Sequence, residues 1–169
     1  MNALIARHAH TGEWVIPCDA DELWTLPDLT SHETGIAAPY VHVPTAEDDP
    51  EEPNPFLRIR HRQPMPELHP KVCFRYIPGR TLDMGNHYAF GAPPPSVSVS
   101  VRHFQYRSLE QVTRKVRQGT QAIDAANLDH GTCTHWRDLA ALTDEQLAEW
   151  WADYLTQPTV LDPAPFRSA

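Results

Sequence analysis

The chain has 169 residues and a formal net charge of -8, with 41% hydrophobic and 21% charged residues. This is an ordinary globular composition, which excludes a wholly disordered chain, and no apolar run is long enough for a membrane span. The acidic balance argues against a general nucleic-acid binder. The N-terminus lacks a signal-peptide pattern, and the three cysteines are too widely spaced for a disulfide framework, so we expect a cytoplasmic protein.

Proline and glycine contents point to the kind of fold. There are 17 prolines and only 7 glycines. Proline interrupts helices and favours turns and edge positions, so this content excludes a mostly helical bundle. We expect long, stiff and irregular connections between short elements.

The first half of the chain predicts short strands that follow one N-terminal helix. The helix is predicted over residues 2–10, and Gly12 ends it. Apolar runs and alternating patterns predict strands over residues 13–18, 40–43, 56–61, 71–76 and 97–101. The acid-rich segment 47–52 predicts a solvated loop, and because it carries most of the net charge, that charge says little about partners.

The second half predicts helices. Ser108 with Gln111, and Thr143 with Gln146, have the spacing of capping boxes that begin two helices. The second helix carries an aromatic stripe that favours core packing, with a partner-facing or membrane-surface role as the alternative. We predict one domain over residues 1–157, followed by a proline-rich irregular tail over 158–169.

Asp19 and Asp21 are the sharpest local feature, because they follow a predicted buried strand directly. Two carboxylates placed two residues apart on a turn can converge on one divalent cation, and hard cations such as Mg²⁺ and Mn²⁺ prefer oxygen ligands. Without a cation, burying two acids so close together would raise a pKa or cost stability.

His103 and Arg107 are the next candidates. His103 ends the valine-rich strand, where ligands are often placed, and Arg107 lies near the start of a capped helix, where it could meet a phosphate. A surface histidine and a solvated arginine are the alternative interpretation. Two further short clusters carry hydrogen-bonding types, at residues 85–87 and 135–137.

Taken in order, these pieces resemble the family 2 glycosyltransferases and their relatives with the GT-A fold. The resemblance runs from Glu13 to Arg137, and its most specific blocks are WVIPCDADELW at 14–24 and HFQYRS at 103–108. The remaining blocks are HPKV at 69–72, GNH at 85–87, RK at 114–115 with Gly119, and HWR at 135–137.

The resemblance implies an α/β fold with a Rossmann-like mixed sheet, and a nucleotide-diphospho-sugar as the donor substrate. It also implies a divalent cation, Mn²⁺ or Mg²⁺, held by Asp19 and Asp21. A histidine commonly completes the metal site in such folds; His103 is the first choice here and His135 the second.

The resemblance further implies residues that bind the donor and activate the acceptor. Arg107 and Arg137 would face the pyrophosphate, where a metal and arginines stabilise the charge of the leaving group. Two more residues, Lys71 and Asn86, are expected to bind the donor. An inverting enzyme also needs a base near the acceptor hydroxyl, and the candidates are Asp83 and His87.

The position of the Asp-x-Asp departs from the family, in which a whole nucleotide-binding half precedes it. Here the motif begins at Asp19, so we expect that half to be largely absent and to be supplied by a partner chain or a second copy. The alternative is a catalytically inactive remnant or interaction module on the same scaffold. A metal-dependent hydrolase is the third hypothesis, and it lacks a tight histidine spacing such as H-E-x-x-H.

Overall fold

The computed structural model describes residues 1–129, 131 and 134–162, which form a mixed α/β structure. Helices in these residues are α1 (Asn2–His8), α2 (Pro55–Arg58), α3 (Leu109–Ala125), α4 (Thr134–Ala140) and α5 (Asp144–Leu155). Strands β1 to β6 are Trp14–Val15, Glu22–Thr25, Thr34–Ala37, Tyr40–Val41, His61–Arg62 and Lys71–Arg75. Strands β7 to β11 are Thr81–Leu82, Ala89–Phe90, Val97–Ser98, Ser100–His103 and Val160–Leu161. The mixed α/β class predicted from the sequence is therefore confirmed.

The chain divides into two compact units, and each contains two separate segments. Unit 1 comprises Met1–Val41 and Pro64–Gln105, and unit 2 comprises His42–Gln63 and the described residues from Tyr106 onward. Within the described part of the chain, the helices are too short or too polar to cross a membrane. The prediction of a single domain over 1–157 stays a prediction.

The larger sheet of unit 1 has the strand order β1-β6-β3-β9. Its central strand β6 is antiparallel to both β1 and β3, and its residues Val72, Cys73 and Phe74 are fully or almost fully buried. The strand predicted over 71–76 is thus confirmed. The strand predicted over 13–18 is shorter than expected: pairing with β6 covers only Trp14–Val15, and Pro17, which lies beyond it, has no N–H to donate.

The second sheet of unit 1 has the order β2-β10-β4, with β10 antiparallel to β2 and parallel to β4. The valine-rich strand predicted over 97–101 is divided between the two sheets. Val97 pairs with Gly35 in the larger sheet, whereas Ser100 pairs with Thr25 in the smaller one. The chain therefore leaves one sheet and enters the other at Val99.

The strand predicted over residues 56–61 is wrong. Residues Pro55–Arg58 form the short helix α2, because Asn54 accepts a hydrogen bond from the backbone N–H of Phe56 (3.0 Å) and Pro55 has the φ of a first helical residue. The alternation of apolar and basic residues favours a strand, but the Asn-Pro start of a helix outweighs it.

Unit 2 contains the two predicted helices. Ser108 caps α3 by accepting from Gln111 N, but the Gln111 side chain accepts from Arg107 N (3.1 Å) instead of from the cap residue. In α5 both halves of the capping box formed by Thr143 and Gln146 are present.

The aromatic stripe of α5 packs within unit 2. Tyr106 lies edge-on to both Trp150 and Tyr154, with ring centroids 5.5 Å apart in each pair. Such edge-to-face pairs add to the stability that burial provides. Helix α4 packs closely against α3 at Gly119. A Cβ added there would lie 2.3 Å from the Trp136 ring, so only glycine fits without a shift.

The irregular tail predicted from residue 158 is wrong for Val160–Leu161, which pair with β5 in an antiparallel ladder. Asp162 follows, and its carboxylate lies 3.0 Å from Nε2 of the buried His42. A hydrogen bond to a buried histidine and a short ladder therefore hold a segment whose composition favours a loop. Residues 163–169 lie outside the described residues.

Candidate functional site

Asp19 and Asp21 lie in a turn that ends where β2 begins. The backbone N–H of Glu22 donates to the carbonyl of Asp19 (3.0 Å), and the backbone N–H of Asp19 donates back to the Glu22 carboxylate (3.2 Å). The indole N–H of Trp24 donates to the same Glu22 oxygen (3.0 Å). Glu22 therefore fixes the conformation of the Asp-x-Asp turn from within the fold.

The first charged group in this region is the ammonium cluster, which consists of Lys71, Asp19 and Glu22. Lys71 Nζ lies 2.8 Å from Asp19 Oδ2 and 3.0 Å from Glu22 Oε1. The Glu22 side chain is fully buried and that of Lys71 is almost so, whereas the Asp19 side chain is 48% exposed. A charge as deeply buried as that of Glu22 needs such a partner.

The ammonium cluster changes the titration of two side chains. Burial alone would lower the pKa of Lys71, but its contacts with Asp19 and Glu22 outweigh that effect and raise the pKa above its ordinary value. Burial also raises the pKa of the neighbouring Cys18 thiol, and the carboxylates of Glu22, Asp19 and Asp21 raise it further. Cys18 is therefore mostly a neutral thiol near neutral pH.

The second group is the imidazole cluster, which consists of His103, Asp21 and Glu67. His103 Nε2 lies 3.8 Å from Asp21 Oδ1, and its Nδ1 lies 3.0 Å from Glu67 Oε2. The side chains of His103 and Asp21 are each 13% exposed, and that of Glu67 is 27% exposed. One imidazole therefore lies between two carboxylates at a partly open surface of unit 1.

Strand pairing brings His103 to Asp21. His103 ends β10, where it pairs with Glu22 at the start of β2. The next residue, Phe104, is buried and donates its backbone N–H to the carbonyl of Asp21 (2.8 Å). The ladder thus places a histidine against an aspartate that lies 82 positions earlier in the chain.

The donor atoms suit a divalent cation in part. Across residues 1–129, 131 and 134–162, no three His, Cys, Asp or Glu side chains converge into a complete metal site. Asp21 and His103 nevertheless present one oxygen and one nitrogen side by side, and Mg²⁺ and Mn²⁺ commonly fill their other positions with phosphate oxygens and water. The imidazole nitrogen favours Mn²⁺ over Mg²⁺. Asp19, the other predicted ligand, is turned toward Lys71.

The predicted acceptor-side residues lie on one turn of unit 1. The Asp83 carboxylate accepts from the backbone N–H groups of His87 (2.7 Å) and Tyr88 (2.8 Å), which closes the turn. Asn86 has a positive φ of 65°, is buried, and accepts from Val72 N on β6 (3.0 Å). His87 Nδ1 lies 2.7 Å from the carbonyl of Pro70, the residue before Lys71. These contacts connect the turn to the ammonium cluster through Pro70 and Lys71.

The remaining predicted residues belong to unit 2. Arg107 precedes the cap of α3, Arg137 pairs with Asp124 (2.5 Å), and His135 is exposed on α4 beside Trp136. The roles predicted for Arg107, Arg137 and His135 therefore stay predictions.

Two residues of the site were missed by reasoning from the sequence. Glu22 follows the Asp-x-Asp immediately, and its place at the start of a strand could have marked it as the buried acid of the group. Glu67 lies in a proline-rich loop without any periodic pattern. Its backbone N–H donates to the carbonyl of Pro39 (2.8 Å), a contact between distant segments that no local signal indicates.

Comparison with known proteins adds no relative: no family model, curated protein or solved structure matches this chain.

Proposed function

We propose that this chain provides the cation-holding and acceptor-side part of a GT-A-like, family 2-like glycosyltransferase. The observation that carries the proposal is the approach of His103 Nε2 to Asp21 Oδ1, at 3.8 Å. The resemblance to the family 2 glycosyltransferases implies both residues, together with Asp19, as metal ligands. An aspartate from the Asp-x-Asp turn and a histidine from the end of β10 suit that role.

The proposed reaction assigns a task to each group of residues in unit 1. Asp21 and His103 hold a divalent cation, which neutralises charge on the diphosphate leaving group. Glu22 and Lys71 hold the Asp-x-Asp turn in place. The turn that carries Asp83 and His87 faces the acceptor hydroxyl, and one of these two residues removes its proton.

The donor requires further contacts in this proposal. Arg107 and Arg137 bind the pyrophosphate, and Asn86 contributes to donor binding.

A titration with Mn²⁺, followed by electron paramagnetic resonance of the free ion, tests this function. We expect saturable binding to one site, and a rise in melting temperature when a nucleoside diphosphate is added with Mn²⁺, because ligands stabilise the state that binds them. UDP, GDP and ADP are the probes. Asp21→Asn should weaken Mn²⁺ binding on the order of 100-fold and reduce the rise in melting temperature accordingly. Asp28→Asn, which removes an exposed carboxylate of the same unit, should preserve both effects. Absence of Mn²⁺ binding at millimolar concentration would refute the proposal.

The ammonium cluster favours a second candidate function. Lys71 already pairs with both Asp19 and Glu22, so these two carboxylates share an internal cation. A scaffold with this arrangement can fold and serve as a non-catalytic interaction module. That function predicts that neither Mn²⁺ nor a nucleoside diphosphate changes the melting temperature.

A further inference from the structure

Glu67 is a residue of the imidazole cluster to which neither the motif series nor the proposed reaction gives a task. Its carboxylate lies 3.0 Å from Nδ1 of His103, while the other ring nitrogen lies 3.8 Å from Asp21 Oδ1. The two nitrogens of one ring therefore have different surroundings. One is within hydrogen-bond distance of a carboxylate and the other is not.

The chemistry of the two groups determines where the ring proton lies. An ionised carboxylate accepts hydrogen bonds and cannot donate them. Nδ1 must therefore carry the proton in its contact with Glu67, and in the neutral ring this leaves the lone pair on Nε2. Nε2, the nitrogen that bears this lone pair, lies 3.8 Å from Asp21 Oδ1.

The backbone around Glu67 keeps its carboxylate in position. Glu67 N donates to the carbonyl of Pro39 (2.8 Å), which immediately precedes β4. In the same sheet β4 pairs with β10, and Val41 lies opposite His103. Glu67 and His103 are thus attached to neighbouring strands.

We infer that Glu67 is a positioning residue, which holds His103 in the Nδ1–H tautomer so that Nε2 and Asp21 together face a divalent cation. The part of this inference that concerns the cation rests on the proposed function, whereas the part that concerns the tautomer does not. Carboxylates that orient a metal-binding histidine through its second nitrogen typically change metal affinity by about 10- to 100-fold when they are removed.

The tautomer is measured on the metal-free full chain by long-range proton–nitrogen correlation of its ¹⁵N-labelled histidines, with His103→Gln used to assign the signal. We expect the Nδ1–H tautomer for His103 in the wild type and a shift toward Nε2–H in Glu67→Ala. Glu67→Gln keeps an acceptor oxygen at the same reach, so it should retain the wild-type tautomer. Glu33→Ala is the matched control, because that carboxylate pairs with Arg80 in the same unit.

The Mn²⁺ dissociation constant is measured on the wild type and on Glu67→Ala, Glu67→Gln and Glu33→Ala. It should rise about 10- to 100-fold in Glu67→Ala and stay within about threefold of wild type in Glu67→Gln and Glu33→Ala. An unchanged His103 tautomer in Glu67→Ala overturns the inference, whatever the metal affinity. If Glu67→Ala fails to fold, loss of the Nδ1–H tautomer in Glu67→Gln overturns it, and retention supports it. A wild type that binds no Mn²⁺ but shows the tautomer shift refutes the proposed function and still supports the positioning role of Glu67.

Discussion

The ammonium cluster and the imidazole cluster share the Asp19–Glu22 turn, yet their charges are balanced in different ways. In the ammonium cluster, Lys71 lies within 3.0 Å of both carboxylates, and Glu22 is fully buried. In the imidazole cluster, only one of the two carboxylates is within hydrogen-bond distance of His103. The first arrangement stabilises the turn, whereas in the proposed function the second presents an oxygen and a nitrogen to an added cation. The proposal therefore gives different tasks to two aspartates that look equivalent in the sequence.

Removing the cation of the ammonium cluster should have the largest effect. Lys71→Met leaves Glu22 as a buried charge without its partner, so we expect the free energy of unfolding to fall by about 3 kcal/mol. His103→Gln should cost only about 1 kcal/mol, because its neighbours stay partly hydrated. Urea denaturation measures both values.

The control for these two variants is Lys115→Met. It removes a lysine whose Nζ lies 5.7 Å from the centroid of the Tyr106 ring. Such a contact is worth about 0.5–1 kcal/mol. If Lys71→Met proved no more destabilising than Lys115→Met, the ammonium cluster would not have the structural role assigned to it.

For metal affinity, in contrast to stability, the residue of the imidazole cluster should matter more than the residue of the ammonium cluster. We expect Asp21→Asn to raise the Mn²⁺ dissociation constant on the order of 100-fold, and Asp19→Asn about 10-fold, because Lys71 already holds the Asp19 carboxylate. Calorimetric titration of both variants measures the ratio of their Mn²⁺ dissociation constants. Equal losses would mean that the two clusters bind the cation as one group.

Above neutral pH, the stabilisation from Lys71 should be lost only under strongly alkaline conditions. Its pKa in the folded protein lies above the unfolded value near 10.5, so the stabilisation is complete below that value and is lost as the pH rises through the folded pKa. The difference in unfolding free energy between wild type and Lys71→Met should therefore stay constant from about pH 7 to about pH 10 and shrink above it. A difference that already disappears near neutral pH would contradict the ion-pair assignment.

The smallest expected effect concerns the thiol of Cys18. Its pKa is raised first by burial, then by Glu22, Asp19 and Asp21 in that order. Glu22→Gln should therefore accelerate alkylation of Cys18 roughly threefold, more than Asp21→Asn does, because the thiolate is the reactive form. Peptide mapping after iodoacetamide labelling gives the rates, with Glu33→Gln as the charge-matched control. A faster reaction in Asp21→Asn than in Glu22→Gln would reverse the assigned order.

Local signals predicted the elements whose stability is mostly local. The capping residues of α3 and α5 and the apolar run of β6 are of this kind, since each pattern lies within a few neighbouring residues. The alternating pattern over residues 56–61 predicts a strand, but the Asn-Pro start makes Pro55–Arg58 a helix, and an alternating pattern does not register such a start. The strand at Val160–Leu161 depends on a partner strand about 100 positions away, and composition alone cannot indicate it.

The candidate site was predictable to the extent that its residues belong to recognisable motifs. Asp21 and His103 were named from the sequence, and strand pairing brings them together. Glu67 was not predicted, because its contact with His103 depends on a loop that is anchored to the carbonyl of Pro39. Prolines spaced along a loop do not indicate which distant residue the loop will contact. The preference of Lys71 for Asp19 and Glu22 also arises from tertiary packing.

In the proposed function, Asp21 and His103 bind one cation together. The most direct measurement is pulsed electron paramagnetic resonance of Mn²⁺ added to the full chain, with all histidines labelled with ¹⁵N, which detects a nitrogen bound to the ion. We predict a ¹⁵N coupling in the wild type that disappears in His103→Gln and persists in His32→Gln, whose ring contacts Ser96 in the same unit. Bound Mn²⁺ without any nitrogen coupling, or a coupling that survives in His103→Gln, would contradict the claim.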